Sequence, residues 1–386
     1  MRARAFFWRV RQNNTMAYLR IILFLISALG ILFGAHWLLY VSILRFFAIT
    51  NFSHKLILLF VLAFFGISFF TSSFLARFSE SLFTRDLYFL SAFWLGLLLN
   101  LILATAVMWA LVWGAEMVGA SLNQTAFASI LFMLAFSYSI YGVWNAFTIR
   151  VKEVSVHIPN LPDTWKGRKI VQLSDVHLGI VHREAFMRDI VNKTNAVNPE
   201  MVVITGDLFD GMDGDLNPLV RPLNDIKAEK GTFFITGNHE TYLGVKESLD
   251  ALTKVNVRIL KNEVADVNGL KIIGINYPTL EENENVVSVL DSLKSQYEGK
   301  PNVLLYHAPT FIDEIKTRGV NLELCGHTHK GQLFPFGFIT SLVYKGYDYG
   351  LYTSGNYTLY TTTGAGTWGP PMRTGNHPEI VVITLN

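Results

Sequence analysis

Two histidines placed two positions apart mark the stretch of this sequence with the clearest chemical potential. His327 and His329 follow a short apolar run, residues 321–325, in the order Gly-His-Thr-His. In an extended segment, side chains at positions i and i+2 point to the same side, so a strand that ends here presents both imidazoles to one site. The pair alone is a modest signal for metal binding, and it gains force only if other segments converge on it.

Four other segments offer polar side chains in the same context, each directly after a predicted strand. The strands are predicted from short apolar, β-branched runs at 169–173, 201–205, 232–236 and 302–306. The polar side chains that follow them are Asp175, His177, Asp207, Asn238, His239 and His307. Helical segments alternate with these strands, which indicates an α/β domain. Because ligands bind beyond the carboxyl ends of strands in such domains, we expect the polar side chains to converge.

Together the five segments supply eight candidate ligands: five imidazoles, two carboxylates and one amide. Nitrogen and oxygen donors without a thiolate suit Mn, Fe or Zn rather than a structural thiolate zinc site. Eight donors exceed the roughly four to six that one ion needs, and they suffice for two ions with a carboxylate such as Asp207 between them. A pair of ions about 3.5–4 Å apart holds both the attacking and the leaving oxygen of a phosphoryl transfer.

In order and spacing, these segments resemble the five signature blocks of the calcineurin-like metallophosphoesterases. The blocks are Asp175-x-His177, Gly206-Asp207, Gly237-Asn238-His239-Glu240, His307 and Gly326-His327-Thr328-His329. The resemblance covers about residues 165–386. The stretches 326–332 and 364–373 are similar to the bacterial membrane-associated branch that includes YkuE-like and YaeI-like phosphodiesterases. That branch more usually has glycine where Lys330 stands, so the substrate side of this loop departs from the pattern.

The resemblance implies a four-layer fold, with two packed β-sheets flanked by helices, and a role for each block. Six side chains would each bind one ion: Asp175, His177 and His329 the first, and Asn238, His307 and His327 the second. Asp207 would bridge the two ions. His239 would stand near the leaving oxygen as a proton donor or transition-state stabiliser. We expect two divalent metal ions, with Mn first and Fe, Zn or Mg as alternatives.

Five further side chains are assigned more weakly. Asp210 is predicted to orient a metal ligand from behind. His182 is predicted to face the cleft and to bind substrate. Lys330 and Arg373 are candidates for binding a phosphate oxygen, with a solvated surface position as the alternative for both. Cys325, the single cysteine, is expected to be a small buried side chain.

The first 150 residues have a different composition. Four stretches without charged side chains are each long enough to span a bilayer: 21–44, 56–76, 87–115 and 117–149. We therefore predict a transmembrane four-helix domain over 1–150 and the metallophosphoesterase domain over 151–386. The alternative for the first stretch is a signal peptide, but the stretch is longer than a signal sequence requires and lacks a small-x-small cleavage motif.

Basic residues set the expected orientation. Five arginines precede the first span, and the segments on the same side of the membrane carry further basic residues, whereas the third connection carries only Glu116. The positive-inside rule places both termini and the catalytic domain in the cytoplasm, in what we expect to be a bacterial inner membrane. Residues 151–386 hold 22 basic and 27 acidic side chains, which gives no indication of nucleic-acid binding. Glu116 is expected to be an interfacial loop charge.

The expected function is a membrane-embedded phosphoesterase that acts on a phosphodiester or pyrophosphate, with a lipid-linked substrate because four spans exceed what a soluble substrate requires. The aromatic stretch 333–352 is expected either to contact the cytoplasmic leaflet and guide an amphiphilic substrate or to pack within the protein. The alternative function is a non-catalytic membrane scaffold or receptor that uses the domain for binding. A transporter is disfavoured because the spans hold almost no ionisable residues. The oligomeric state is left open.

Overall fold

The computed structural model describes residues 2–79, 81–211, 214–279 and 285–386, with side chains from residue 23 onward except 24 and 243. The first part of the chain forms four long helices: α1 Arg2–Phe46, α2 Phe52–Phe78, α3 Leu82–Met117 and α4 Gln124–Ala146. Each contains a stretch long and apolar enough to cross a membrane. The four predicted helices are confirmed, but α4 begins at Gln124 rather than 117. Residues 118–123 form a loop in which Gly119 has a φ of 67°, a conformation that ends a helix readily at glycine.

Two compact units make up the chain, and the domain boundary at residue 150 stays a prediction. One comprises Met1–Ser72 and Leu97–Tyr138, and the other comprises Ser73–Gly96 and Ser139–Asn386. The second unit therefore includes the start of α3 and the end of α4. At 36 residues, α3 is about 54 Å long, which exceeds the roughly 30 Å of a bilayer core. A helix of that length extends beyond the hydrocarbon core by several turns.

Polar contacts join the ends of the helices within the first unit. Arg45 and Glu116 form an ion pair of 3.1 Å whose side chains are about half exposed. The Trp109 indole donates a hydrogen bond of 2.9 Å to the Ser42 hydroxyl. Glu116 thus lies in the last turn of α3 and not in the loop that the sequence predicted, and it has a basic partner.

The α/β part of the second unit contains two six-stranded sheets within the described residues. The first has the order β1-β12-β2-β3-β4-β5 and the second β10-β11-β9-β8-β7-β6. The strands are β1 Arg150–Val156, β2 Lys169–Leu173, β3 Met201–Thr205, β4 Thr232–Ile235, β5 Arg258–Ile259, β6 Glu263–Val267, β7 Leu270–Gly274, β8 Asn302–Leu305, β9 Leu322–Cys325, β10 Gly350–Ser354, β11 Tyr357–Thr361 and β12 Glu379–Leu385. Strands β2 to β5 run parallel, as do β7, β8, β9 and β11, so their carboxyl ends share one edge of each sheet.

The helices of this part are α5 Glu184–Ala196, α6 Asn217–Val220, α7 Asn238–Leu243, α8 Val245–Leu252, α9 Val286–Tyr297, α10 Ile312–Lys316 and α11 Phe336–Val343. The sequence pattern of residues 218–229 predicts one helix, which is longer than the structure has. The α-helix ends at Val220, and a 3-10 turn, Arg221–Asp225, replaces its continuation. Pro222 lacks the N–H that an α-helical interior requires, which explains the early end.

Three apolar clusters separate four layers. Ile170 and Val203 of the first sheet pack against Ile272 and Val303 of the second. A second cluster joins the outer face of the first sheet to α5 and α8, and a third joins the outer face of the second sheet to α9 and α10. Fully burying such a side chain contributes about 1.5–3 kcal/mol. The expected four-layer fold is confirmed, and Cys325 is buried in the third cluster as predicted.

Candidate metal centre

Sharp backbone turns at the strand ends bring the polar side chains together. Five candidate ligands have left-handed backbone conformations, with φ between 46° and 69°: Asp175, His177, Asp207, His327 and His329. Non-glycine residues in this region cost about 1–2 kcal/mol each and are concentrated at functional sites. This geometry corrects one expectation from the sequence. The strand before His327 ends at Cys325, so turns rather than strand alternation place the two imidazoles.

Close backbone approach also requires glycine at two of these turns. A Cβ atom at Gly326 would collide with the carboxylate of Asp175, and one at Gly237 would collide with the carboxylate of Asp207. Any larger residue would push a candidate ligand away from its position. The glycines of these motifs therefore allow the loops to lie directly against the acidic side chains.

The first group of donor atoms belongs to Asp175, His177 and His329, and all three side chains are buried. Nε2 of His177 lies 3.0 Å from Nε2 of His329, which in turn lies 3.3 Å from Oδ1 of Asp175. Two ring nitrogens that face each other at this distance require a proton or a cation between their lone pairs. The first group therefore fits a divalent ion with mixed nitrogen and oxygen coordination.

The second group belongs to Asp207, His307 and His327. Nε2 of His307 is 3.1 Å from Oδ2 of Asp207 and 3.2 Å from Nδ1 of His327. The side-chain oxygen of Asn238 lies 3.1 Å from the same His307 nitrogen, so it joins this group. The set of one carboxylate, one amide oxygen and two imidazoles again fits a divalent ion.

Asp207 lies between the two groups. Its Oδ2 atom, which approaches His307, is also 4.0 Å from Nε2 of His177 in the first group. Its Oδ1 atom accepts a hydrogen bond of 2.9 Å from the backbone N–H of His239. One carboxylate thus reaches both groups and the backbone of His239, which is the arrangement that a bridging ligand needs.

Burial and neighbouring charges shift the pKa values of these groups in opposite directions. Burial alone would lower the pKa of His307, but the adjacent Asp207 carboxylate raises it to about 10. Burial, together with the neighbouring His239 and His329, holds the pKa of His177 well below its usual value. Burial favours the neutral form of Asp175, but His329 and the other imidazoles outweigh it and lower that pKa. Burial also opposes ionisation of Asp207, but His307 outweighs it and lowers the pKa of that carboxyl. Asp175 and Asp207 are therefore ionised at neutral pH and available as ligands.

Comparison with known proteins agrees with this geometry. The calcineurin-like phosphoesterase family matches residues 168–331. The metallophosphoesterase YkuE of Bacillus subtilis is 30% identical over 251 residues, which cover 61% of this chain and 85% of YkuE. The chain belongs to the calcineurin-like metallophosphoesterase family.

Two further relatives extend the comparison. A metallophosphoesterase of Campylobacter jejuni is 40% identical over 241 residues, covering 62% of this chain and 63% of that protein. A zebrafish (Danio rerio) transmembrane protein with a metallophosphoesterase domain is 31% identical over 285 residues, covering 69% of this chain and 63% of that protein. The match thus spans somewhat less than two thirds of the length of these two relatives.

His239 of this metallophosphoesterase stands beside the first group. Its ring lies edge-to-face with that of His177, with 4.5 Å between the ring centroids. Its Nδ1 atom is 2.8 Å from the backbone carbonyl of Asp210. A carbonyl only accepts hydrogen bonds, so Nδ1 carries the proton and the ring is held with Nε2 available for another partner.

Asp210 lies behind the first group. One carboxylate oxygen is 3.7 Å from Nδ1 of His177, the ring nitrogen that faces away from His329. Burial and the nearby Asp207 raise the pKa of Asp210 well above its usual value. This distance is too long for a hydrogen bond, so Asp210 lies beside His177, and its role in orienting that ring stays a prediction.

Glu240 is the main contributor that the sequence interpretation missed. Its buried carboxylate accepts hydrogen bonds from the backbone N–H groups of Gly237 at 2.6 Å, Asp207 at 3.0 Å and Phe209 at 3.1 Å. It therefore ties the loop after β3 to the loop after β4. The available signal was a glutamate three positions after Gly237 at a helix start, the position from which such side chains bind backbone donors.

Arg373 is not placed where it could bind substrate, which corrects that prediction. Its guanidinium is fully buried. It donates to the carbonyls of Thr363 at 2.8 Å and Gly366 at 3.1 Å, and Nη2 lies 3.1 Å from Nδ1 of His329. A guanidinium only donates, so Nδ1 of His329 is the acceptor of this contact, and backbone carbonyls surround the rest of the positive charge. Arg373 therefore packs behind His329 instead of facing the cleft.

His182 is also misassigned by the prediction. Its ring is buried and stacks on Phe186, with 4.1 Å between centroids, and Nε2 accepts a hydrogen bond of 3.0 Å from the backbone N–H of Thr367. Burial and the nearby Arg373 lower its pKa to about 3, so the ring is neutral. His182 thus supports the loop that contains Thr367 from within the protein.

Lys330 is half-buried, and its ammonium lies 4.3 Å from the centroid of the Tyr349 ring.

Proposed function

We propose that this membrane protein is a metal-dependent phosphoesterase that hydrolyses a phosphodiester or pyrophosphate bond. The observation that carries the proposal is the pair of buried donor groups that share Asp207. Asp175, His177 and His329 would hold one ion, and Asn238, His307 and His327 the other. Two divalent ions held there supply Lewis acidity to the phosphoryl oxygens and lower the pKa of a water nucleophile.

The chain's own residues account for the remaining steps. Asp207 orients His239 through the hydrogen bond to its backbone. The carbonyl of Asp210 fixes Nδ1 of His239, so a protonated ring presents its Nε2 proton. A proton donated from there to the leaving oxygen is a step typically worth about 10²–10⁴-fold in rate. Because both donor groups are buried apart from the half-buried His327, charges held there act on a bound phosphoryl group with little competition from solvent.

Metal content separates the enzyme from a non-catalytic scaffold or receptor. We expect the purified full-length protein to contain two divalent ions per chain, with Mn as the ion that restores the highest activity after chelation. A model diester such as bis-p-nitrophenyl phosphate should be hydrolysed by the metal-loaded protein and not by the chelated one. A protein that contains no bound metal and shows no hydrolysis with any of Mn, Fe, Zn or Mg would support the scaffold instead.

An exposed apolar helix supports a lipid-linked substrate for the same site. Helix α11 begins seven residues after His329, and none of its described side chains is buried. Phe338 is 73% exposed and Leu342 is 81% exposed. Lys330 and Lys345 flank the helix in the sequence, where they suit anionic headgroups. We propose that α11 contacts the lipid surface and admits an amphiphilic phosphate ester to the metal centre.

Replacing Phe338 and Leu342 with serine should separate lipid from soluble substrates. We expect activity on phospholipid vesicles to fall about tenfold or more, since each exposed side chain contributes apolar area to the lipid contact. Hydrolysis of bis-p-nitrophenyl phosphate should stay within about twofold. Phe311→Ser, which alters an exposed aromatic residue immediately before α10, serves as the matched control. Equal losses on both substrates would contradict a lipid-contacting role for α11.

The proposal includes a cytoplasmic position for both termini and the catalytic domain. The basic residues before the first span and after the fourth support it. The sidedness can be checked with single cysteines placed near residue 386 and in the loop at 118–123, labelled in intact cells with an impermeant reagent. Labelling of the C-terminal position from outside the cell would contradict the proposed cytoplasmic placement.

A further inference from the structure

The last turn of α4 is bound to a segment that lies far from it in the sequence. The side-chain amide of Asn145 donates hydrogen bonds to the carbonyl of Arg373 at 2.8 Å and to that of Asn376 at 2.7 Å. Its carbonyl oxygen lies 2.5 Å from Nδ1 of His377. One turn earlier, the carbonyl of Gly142 accepts a hydrogen bond of 2.9 Å from the backbone N–H of Arg373. Four contacts from two residues of α4 therefore fix the segment 373–377.

The side-chain amide of Asn145 has a hydrogen-bond partner in this segment for each of its polar atoms. Asn145 is 1% exposed and lies near the end of an otherwise apolar helix. Both of its amide protons and its oxygen have partners, so replacing it leaves the buried carbonyl of Arg373 and the partly buried carbonyl of Asn376 without this donor. A buried group left unsatisfied costs about 1–3 kcal/mol. Close packing adds to the fit, because a Cβ atom at Gly142 would lie 2.7 Å from the Thr374 side chain. The contact depends on an amide at 145 and on the absence of a side chain at 142.

The same segment holds the metal ligand His329 from two sides. Nη2 of Arg373 lies 3.1 Å from Nδ1 of the His329 ring. The side-chain amide of Asn376 donates to the backbone carbonyl of His329 at 2.7 Å and to that of Lys330 at 3.2 Å. Arg373 and Asn376 also bind each other, at 2.5 Å. We call these two residues the His329 clamp, because together they contact both the ring and the backbone of His329.

We propose that Asn145 is a positioning residue for the metal centre and acts through the His329 clamp. Docking of the clamp on the end of α4 fixes the backbone of His329 through Asn376 and packs Arg373 against its ring, so the first group of ligands is completed only when this helix end is in place. The second group, formed by Asp207, His307, His327 and Asn238, has no member held by the clamp among the described contacts. The proposal requires the metal site but does not depend on hydrolysis.

Metal binding by the full-length, metal-free protein in detergent tests this assignment directly. Free Mn²⁺ is measured by electron paramagnetic resonance during titration, in two backgrounds. His327→Ala disables the second group and leaves the first, whereas His329→Ala disables the first and leaves the second. We expect Asn145→Ala to weaken Mn²⁺ binding about tenfold in the His327→Ala background, the lower end of the effect of residues that orient metal ligands. In the His329→Ala background the change should stay within about twofold.

A double-mutant comparison shows whether the effect passes through the clamp. Asn376→Ala should weaken the first group on its own, and adding Asn145→Ala to it should cause little further loss, because the two residues act in one chain of contacts. Asn123→Ala is the matched control, since it removes a side-chain hydrogen bond at the opposite end of α4. That variant should leave Mn²⁺ binding unchanged. Additive losses in the double variant would overturn the proposed route.

A second variant covers the case in which Asn145→Ala does not fold. Gly142→Ala favours the helix itself but forces the Cβ atom against Thr374, which displaces the clamp. We expect the same selective loss at the first group. Unchanged Mn²⁺ binding in either variant, or equal weakening of both groups, would contradict the positioning role of α4.

Discussion

Asp207→Ala is expected to lower kcat for a model diester by at least about 10³-fold, the largest single effect in this protein. Asp207 is the side chain that reaches both donor groups, at 3.1 Å from His307 and 4.0 Å from His177. It also accepts the hydrogen bond that positions the backbone of His239. Removing it would take the shared ligand from both proposed ions, and it removes the acceptor of the hydrogen bond from the His239 backbone. Steady-state kinetics with Mn present, together with metal analysis, measures both consequences.

Asp207→Asn is the matched variant for this experiment. The amide keeps the size of the side chain, and its oxygen can still accept the hydrogen bond from His239, but it lacks the negative charge. We expect bound metal to fall below two ions per chain in both variants, since a neutral amide bridges two cations poorly. Activity of Asp207→Ala within about tenfold of the unaltered protein would refute the binuclear mechanism.

His239→Gln is expected to lower kcat by about 10²–10⁴-fold while leaving two ions bound. Its ring stands beside the first group, and Nδ1 is occupied by the carbonyl of Asp210, so its proposed role is proton transfer at Nε2 rather than metal binding. The loss should depend on the leaving group. An alkyl phosphodiester needs a proton on its leaving oxygen, whereas p-nitrophenolate leaves without one, so the alkyl ester should lose far more rate.

The comparison of the two leaving groups decides between the two roles assigned to His239. Equal losses for both esters would favour transition-state stabilisation over proton donation, and retained activity for both would exclude His239 from the reaction. Tyr242→Ala is the control, because the Tyr242 ring packs beside that of His239 at 5.2 Å between centroids. It leaves the contact between His239 and Asp210 in place, and we expect a change of less than about tenfold.

The strands that carry the site could be predicted because they are buried on both faces. β2 and β3 have the predicted limits, and β9 begins one residue later than the run at 321–325. Each is a short, mostly apolar run that is followed at once by polar residues. Buried parallel strands have this appearance, which distinguishes them from amphipathic strands. The change from apolar to polar residues marked the carboxyl ends, and those ends are where the candidate ligands converge.

The stretch 333–352 shows where sequence patterns were insufficient. It was predicted only to contact a lipid leaflet or to pack within the protein, and the structure divides it into helix α11, a turn and the beginning of the hairpin β10–β11. An eight-residue helix rich in aromatic residues has no clear period, and the edge strand β10 is largely exposed. Short elements of this kind take their conformation from the neighbours they pack against.

By itself, the sequence determined the ligand types, their order along the chain, the family and the four apolar helices, because each depends on residues that are close in sequence. Only the tertiary structure decided the role of Arg373, which composition suggested was a phosphate-binding or surface residue and which is buried against His329. The same is true of Glu240 and Asn145, whose partners lie about 30 and more than 200 residues away. A buried polar side chain is defined by the donors and acceptors that surround it, and those come from distant segments.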